Sequence, residues 1–208
     1  LATGQHLGAW GLTEANAGSD AAAMRALAVR DAGTWVINGS KQFITHGRIG
    51  GTMVMMAVTD RSQGPRGISA FVIPQGHPGM TAGKKENKLG MRASDTSEVV
   101  FQDCRVPAAA MIGAPGEGFT QAMQVLDAGR IGIAALAVGL AQGAYEAARR
   151  YALERRQFGR AIAEFQAIRW KLADMASRIE AARLLTYRAA WMRDQRAERT
   201  STESSIAK

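Results

Sequence analysis

The texture of the sequence changes near residue 110, and this change constrains the fold more than any other feature. Downstream of Pro115, the stretch from Phe119 to about Arg156 contains no proline and reads as one long helix. Gly129, Gly132, Gly139 and Gly143 within it each weaken helix propensity by roughly 1 kcal/mol relative to Ala. Such a helix needs packing to hold it, and its small residues let another helix or a ligand come close. A second helix is predicted from about Glu164 to Gln195. There Phe165, Ile168, Leu172, Met175, Ile179 and Ala182 recur at alternating steps of three and four, the seam of a packed bundle helix. Residues Arg156 to Ile162 link the two, with Gly159 in the turn. A third helix begins near Ser201 and reaches barely two turns by Lys208. Two long helices and a stub predict an incomplete bundle, and hence part of a longer protein.

Upstream, from Arg25 to Val106, β-branched and apolar runs alternate with turn residues. Ala26 to Arg30 reads as a strand, Asp31-Ala32-Gly33 as its turn and Trp35 to Ile37 as the return strand. Asn38-Gly39 follows, a strong hairpin signal. Gln42 to Thr45, Thr52 to Thr59, Ile68 to Ile73 and Val99 to Phe101 are further strands, with Pro74, Pro78 and Pro107 at run ends. The predicted class is therefore α+β. Residues 1–110 form an antiparallel β domain, barrel or sandwich, and residues 111–208 form a partial helical bundle.

Composition narrows the functional classes. The chain is 47% hydrophobic and 21% charged, the profile of a globular protein. The longest charge-free apolar stretch, Ile131 to Tyr145, is too short to span a bilayer and is interrupted by Gly139, Gln142 and Gly143. A single cysteine, Cys104, rules out an internal disulfide and fits a reducing compartment. The net charge of +8 is spread, with 11 basic and 8 acidic residues before residue 109 and 15 and 10 after it. No unbroken basic stripe results, so an anionic small ligand is favoured over nucleic acid. His6, His46 and His77 lack metal-ligand spacing with each other or with Cys104, so no metal site is expected. There is no phosphate-loop or dinucleotide fingerprint.

Three segments carry possible chemistry. In LTEANAGSD, residues 12–20, Ser19 and Asp20 could simply cap the turn Ala21-Ala22-Ala23. Gln42 to Thr45 could be a half-buried strand edge. In YALERRQFGR, residues 151–160, Arg155 and Arg156 could complement a helix dipole, or their guanidinium groups beside a glycine turn could suit a pyrophosphate.

In order along the chain, these segments resemble the acyl-CoA dehydrogenase family, and the fit is nearest its short-chain and straight-chain branches. LTEANAGSD is similar to the family's LTEPxAGSD, and NGSKQFITHG to NGxKxWITN. KKENKLGMRASDTSEVVFQDCRVP is similar to KxxKLGxRxSxTxxxxFxDxxVP, and GEGFTQAMQVLDAGRIGIAA to GxGFxxAMxxLDxGRIxIAA. YALERRQFGRAIAEFQAIRWKLADMA is similar to YAxxRxQFGxxIxxxQxIxxxLADMA. Ala15 stands where the family has proline, and Phe43 where it usually has tryptophan, which keeps an aromatic face but removes an N–H donor.

The resemblance implies the β domain and the first half of a C-terminal four-helix bundle, without the family's N-terminal helical domain. It implies FAD as cofactor, with an acyl-CoA oxidised to trans-2-enoyl-CoA. A carboxylate takes the α proton, the β hydride goes to the flavin, and electrons pass on to electron-transfer flavoprotein. It assigns Trp10, Leu12 and Thr13 to one side of the flavin ring and Phe43, Ile44 and Thr45 to the other. Gly18 and Ser19 would approach the cofactor pyrophosphate, or Ser19 the CoA moiety. Arg155, Gln157, Phe158 and Gln166 would reach the FAD of a neighbouring subunit, which implies a homodimer or homotetramer. Leu126, Asp127 and Arg130 would line the acyl-CoA pocket.

The base falls outside these assignments. Some branches carry it immediately before the arginine that matches Arg130, but Gly129 stands there, and Asp127 projects about 200° away on a helix. Most straight-chain members carry it as a glutamate in a C-terminal segment, so the resemblance implies a base beyond Lys208, with the 208 residues alone inactive. Acyl-CoA oxidases, flavin monooxygenases and a non-catalytic flavin-binding scaffold are alternatives on the same fold. The compartment would be the bacterial cytoplasm or the mitochondrial matrix.

Overall fold

A computed structural model describes residues 1–195 and 200–208. Backbone contacts divide the chain into two compact units, Leu1–Met123 and Gln124–Lys208.

The first unit is an eight-stranded sheet. Its strands are β1 (Gly8–Gly11), β2 (Leu27–Asp31), β3 (Thr34–Thr45), β4 (Thr52–Val58), β5 (Ile68–Pro74), β6 (Met80–Lys85), β7 (Thr96–Pro107) and β8 (Met111–Ile112). Their order is β6-β7-β3-β2-β4-β5-β8, with β1 beside β4. Most neighbours are antiparallel, but β1 and β2 both meet β4 in parallel, so the sheet is mixed. That mixture corrects the purely antiparallel expectation. β1, β6 and β8 are strands the sequence reading did not find, because GAWG, MTAGKK and MI are short and carry little β-branched character. One face of the sheet buries Trp35, Ile37, Met53, Met55, Phe71, Ile73, Val99 and Phe101. Trp35 and Phe71 meet edge to face, with 5.6 Å between ring centroids.

The turn Asp31–Thr34 forms as expected. Ala32 and Gly33 both have positive φ, the two-residue hairpin geometry that matches strand twist. Asn38-Gly39 is not a turn. β3 runs straight through it, and the pair marks a bulge against β7. The Asn38 side chain instead bonds across to β7, donating to Asp103 Oδ1 at 3.2 Å and accepting from the Asp103 N–H at 2.8 Å.

The second unit is helical. α1 (Gly118–Glu154) begins in the first unit, where Gly118 lies so close to Ser69 that a Cβ would stand 2.6 Å from its carbonyl carbon. α2 spans Gln166–Asp194 and α3 spans Ser201–Ala207. Between α1 and α2, β9 (Arg156–Gln157) and β10 (Arg160–Ala161) form a small hairpin. α2 folds back on α1, with Arg183 Nη2 donating to Gln142 Oε1 at 2.8 Å. The predicted seam is the covered side of α2. Ile179 is buried, the other seam residues are half-buried, and the row continues through buried Thr186 and Ala189. Large apolar side chains on other faces stay exposed, including Ile133, Leu136 and Leu140 on α1 and Trp170, Tyr187 and Trp191 on α2. α1 as a whole is long and apolar enough, by length and composition alone, to cross a bilayer. That differs from the estimate based on the shorter charge-free stretch.

Candidate functional site

A cleft of about 530 Å³ opens in the first unit, within the usual range of roughly 300–1,000 Å³ for small-molecule sites. Trp10, Leu12 and Thr13 line it from β1 and the loop that follows; Phe43, Ile44 and Thr45 line it from the end of β3. Two distant segments converge here because they are joined. The Gln42 N–H donates to the Thr13 carbonyl at 2.8 Å.

The shape of the β3 wall comes from a second bulge. The β3–β7 register shifts between Lys41 and Ile44, and Phe43 takes a left-handed backbone with φ of 57°. Up to that point the odd positions Trp35, Ile37 and Lys41 face the core. After it, Ile44 does, and Phe43 is thrown outward, 63% exposed. A bulge re-aims a side chain in this way at the cost of local strain. Ile44 is accordingly more a core residue than a face of the cleft. Gly8, Ala9 and His46 also border the cleft and were not singled out from sequence. His46 has φ of 59°, and its Nδ1 lies 3.1 Å from the Gly8 carbonyl, so Nδ1 carries the proton. Its position directly after Phe43-Ile44-Thr45 was the available signal.

The opening loop is fastened at its base. Glu14 and Ala17 exchange backbone hydrogen bonds of 3.0 and 3.1 Å. The Glu14 carboxylate accepts the Arg25 and Ala26 N–H groups at 2.6 and 3.0 Å and pairs with Lys41 at 2.8 Å. Burial raises the Glu14 pKa, but the Lys41 hydrogen bond and charge, with the two backbone N–H bonds, hold it below its ordinary value. Gly18 and Ser19 follow this anchored turn and are exposed, outside the cleft lining. Asp20 makes no side-chain cap to the short turn Ala21–Ala23, so side-chain capping by Asp20 does not explain the loop.

In the second unit, Arg155, Gln157 and Phe158 cluster at the α1–α2 connection, with Gln166 opening α2. The β9–β10 turn places Phe158 at φ 51° and Gly159 at φ 78°, leaving the phenyl ring 92% exposed. It meets Phe165 in a T-shaped arrangement with 6.1 Å between ring centroids, and the Arg160 guanidinium sits 4.3 Å from the Phe165 ring centroid. Arg155 and Arg156 directly follow Glu154, the last residue of α1, and the Arg155 N–H donates to the Tyr151 carbonyl at 2.8 Å.

Leu126, Asp127 and Arg130 sit on the early part of α1 and are half-buried. Asp127 pairs with Arg130 and accepts the Ser201 hydroxyl of α3 at 2.6 Å, which occupies both carboxylate oxygens. Gly129 is surrounded by open space. From Arg130 to Arg155 the helical path is about 38 Å at 1.5 Å per residue. One small ligand therefore cannot touch both groups from a single chain.

The residues of the cleft suit a flavin. Aromatic and aliphatic walls can cover a flat ring, and the Thr13 and Thr45 hydroxyls have no side-chain partner among the described residues. Such a cleft in a mixed β unit, followed along the chain by long helices, fits a flavin-binding oxidoreductase. The chain belongs to the acyl-CoA dehydrogenase family. The family model for the acyl-CoA dehydrogenase middle domain matches residues 9–104, and that for the C-terminal domain matches residues 116–208. The chain is 53% identical to the short-chain specific acyl-CoA dehydrogenase of Clostridium acetobutylicum, over 93% of this chain and 51% of that protein. It is similar to the butyryl-CoA dehydrogenase structure from Megasphaera elsdenii, with a TM-score of 0.93 and 47% identity over 97% of this chain and 53% of that one. A chain in a structure described as the electron transferring flavoprotein of Acidaminococcus fermentans has a TM-score of 0.95 and 49% identity, over 98% and 53%. The chain spans about half the length of the curated relatives it matches.

Proposed function

We propose that these 208 residues form the flavin-facing and part of the acyl-facing portion of a FAD-dependent acyl-CoA dehydrogenase acting on short, straight-chain thioesters. The observation that carries this reading is the cleft that Trp10, Leu12 and Thr13 line together with Phe43, Ile44 and Thr45. FAD, when bound, supplies the two-electron acceptor for the oxidation. The chain's own residues do the rest of what can be assigned to them. Trp10 and Phe43 cover the ring and exclude water, and the Thr13 and Thr45 hydroxyls orient its polar edge. Gly18 and Ser19 hold the pyrophosphate or the CoA moiety, where a small residue lets the backbone approach. Leu126 and the Asp127–Arg130 pair border the acyl chain.

Arg155, Gln157, Phe158 and Gln166 serve the cofactor of a second subunit. The roughly 38 Å separation along α1 and the almost fully exposed Phe158 ring favour that reading. The uncovered apolar faces of α1 and α2 fit a bundle whose other helices and subunits cover them, rather than a membrane span. A homotetramer and an electron-transfer flavoprotein as acceptor follow from the same likeness. Neither Gly129, which has no side chain, nor Asp127, which is held by Arg130 and Ser201, is assigned as the base.

The test uses the full-length protein. It should purify yellow with FAD, and butyryl-CoA should bleach the flavin without oxygen, with electrons passing on to an electron-transfer flavoprotein. A colourless protein that takes up no FAD would overturn the reading. Rapid reoxidation of the reduced flavin by oxygen would move it to an oxidase.

A further inference from the structure

Lys41 has no exposed surface, although its side chain ends in an ammonium group. Its Nζ donates to the Leu12 carbonyl at 3.1 Å and to Glu14 Oε1 at 2.8 Å, and touches Met24 Sδ at 3.8 Å. Glu14 is in turn held by the Arg25 and Ala26 N–H groups. The stem of Lys41 reaches this spot because Gly11 lies beside it; a Cβ there would stand 3.2 Å from Lys41 Cγ. A buried ion pair is a poor way to gain stability, since desolvation offsets most of the attraction. It is a good way to set a register, because both groups must find each other or be left unpaired.

What this pair registers is the cleft. Leu12 and Thr13, one wall, are bonded through Leu12 and Glu14 to Lys41. Phe43, Ile44 and Thr45, the other wall, follow Lys41 directly across the bulge. We propose that Lys41 and Glu14 are positioning residues that set the spacing and alignment of the two segments lining the flavin cleft, and so tune flavin affinity and potential. This inference rests on the flavin reading of the cleft.

The experiment uses full-length holoprotein with Lys41→Met, Glu14→Gln, the double variant and the charge swap Glu14→Lys/Lys41→Glu. FAD dissociation constant, visible spectrum and reduction potential are measured beside circular dichroism and thermal unfolding. Folded Lys41→Met should bind FAD at least tenfold more weakly, with a shifted visible band and potential. Glu14→Gln, which keeps one acceptor oxygen, should move the same readouts in the same direction by less. The charge swap should not rescue, because a lysine at position 14 cannot accept the Arg25 and Ala26 N–H groups. Should Lys41→Met not fold, Glu14→Gln decides the matter alone. A folded variant with lowered melting temperature but wild-type affinity, spectrum and potential would show the pair to be purely structural and overturn the proposal. Wild-type protein that binds no flavin would instead defeat the reading of the cleft.

Discussion

Gly39 is the point where a substitution tests the link between the sheet and the cleft. Its φ of 141° lies in a region that residues with a Cβ rarely adopt, and strain there is worth about 1–3 kcal/mol. A Cβ would also stand 2.7 Å from Ala26 Cα and 2.8 Å from Ala26 Cβ, in the residue that leads into β2, where carbon atoms prefer about 3.5–4.0 Å. The strands would have to part by about 1 Å, an overpacking cost of roughly 1–3 kcal/mol. Gly39→Ala should therefore cost about 2–6 kcal/mol in all, a large share of a stability of about 5–15 kcal/mol. Gly33→Ala is the control. Its φ of 85° is also positive, but nothing lies within 4 Å, so only the backbone strain is added. Denaturant unfolding of the full-length variants, followed by circular dichroism and tryptophan fluorescence, should separate them by at least about 1 kcal/mol. Ala26 also donates its N–H to Glu14 Oε1 at 3.0 Å, so moving β2 should loosen the cleft and weaken FAD retention in Gly39→Ala alone. Equal costs for the two variants would refute the reasoning, because strand spacing at Ala26 would then not matter.

Other expectations follow from the same geometry. The folded-state pKa of Glu14 is lowered, so its contribution to stability is present above the ordinary value of 4.5 and lost as pH falls through the lowered folded value. Glu14→Gln should flatten that acid limb, and identical acid limbs in variant and wild type would refute it. Phe158→Gly relieves a left-handed non-glycine backbone while losing an exposed aromatic contact, so its unfolding free energy should change by no more than about 1 kcal/mol. FAD retention and subunit association should nevertheless fall; sedimentation and flavin content unchanged from wild type would count against a trans contact. Burial pushes the Cys104 thiol above its ordinary value of 9.0, so a thiol reagent should label it only on unfolding. Fast labelling of the native protein would contradict that burial.

Much of this protein was legible from residues close in sequence. The proline-free run became α1, and the three-and-four seam became the covered side of α2, because helical faces are set by local periodicity. Asp31-Ala32-Gly33 formed its turn because two positive φ angles suffice for a tight hairpin. Asn38-Gly39 misled for a related reason. The same residues that favour a turn also tolerate a bulge, and only the cross-strand bonds to Asp103 distinguish them. β1 was invisible because its four residues are recruited by parallel pairing to β4, more than forty positions away.

The sequence by itself determined the class of fold, the family and the two segments that the structure brings to one cleft. Their motifs are contiguous, and each carries its own residue types. Only the tertiary structure decided what lies between those segments. It turned Ile44 inward and Phe43 outward through a bulge, brought Gly8, Ala9 and His46 to the cleft edge, and buried the Lys41–Glu14 pair beneath both walls. Those outcomes depend on register and burial between residues far apart in the chain, and a charge reads the same in a sequence whether it ends up in water or in the core.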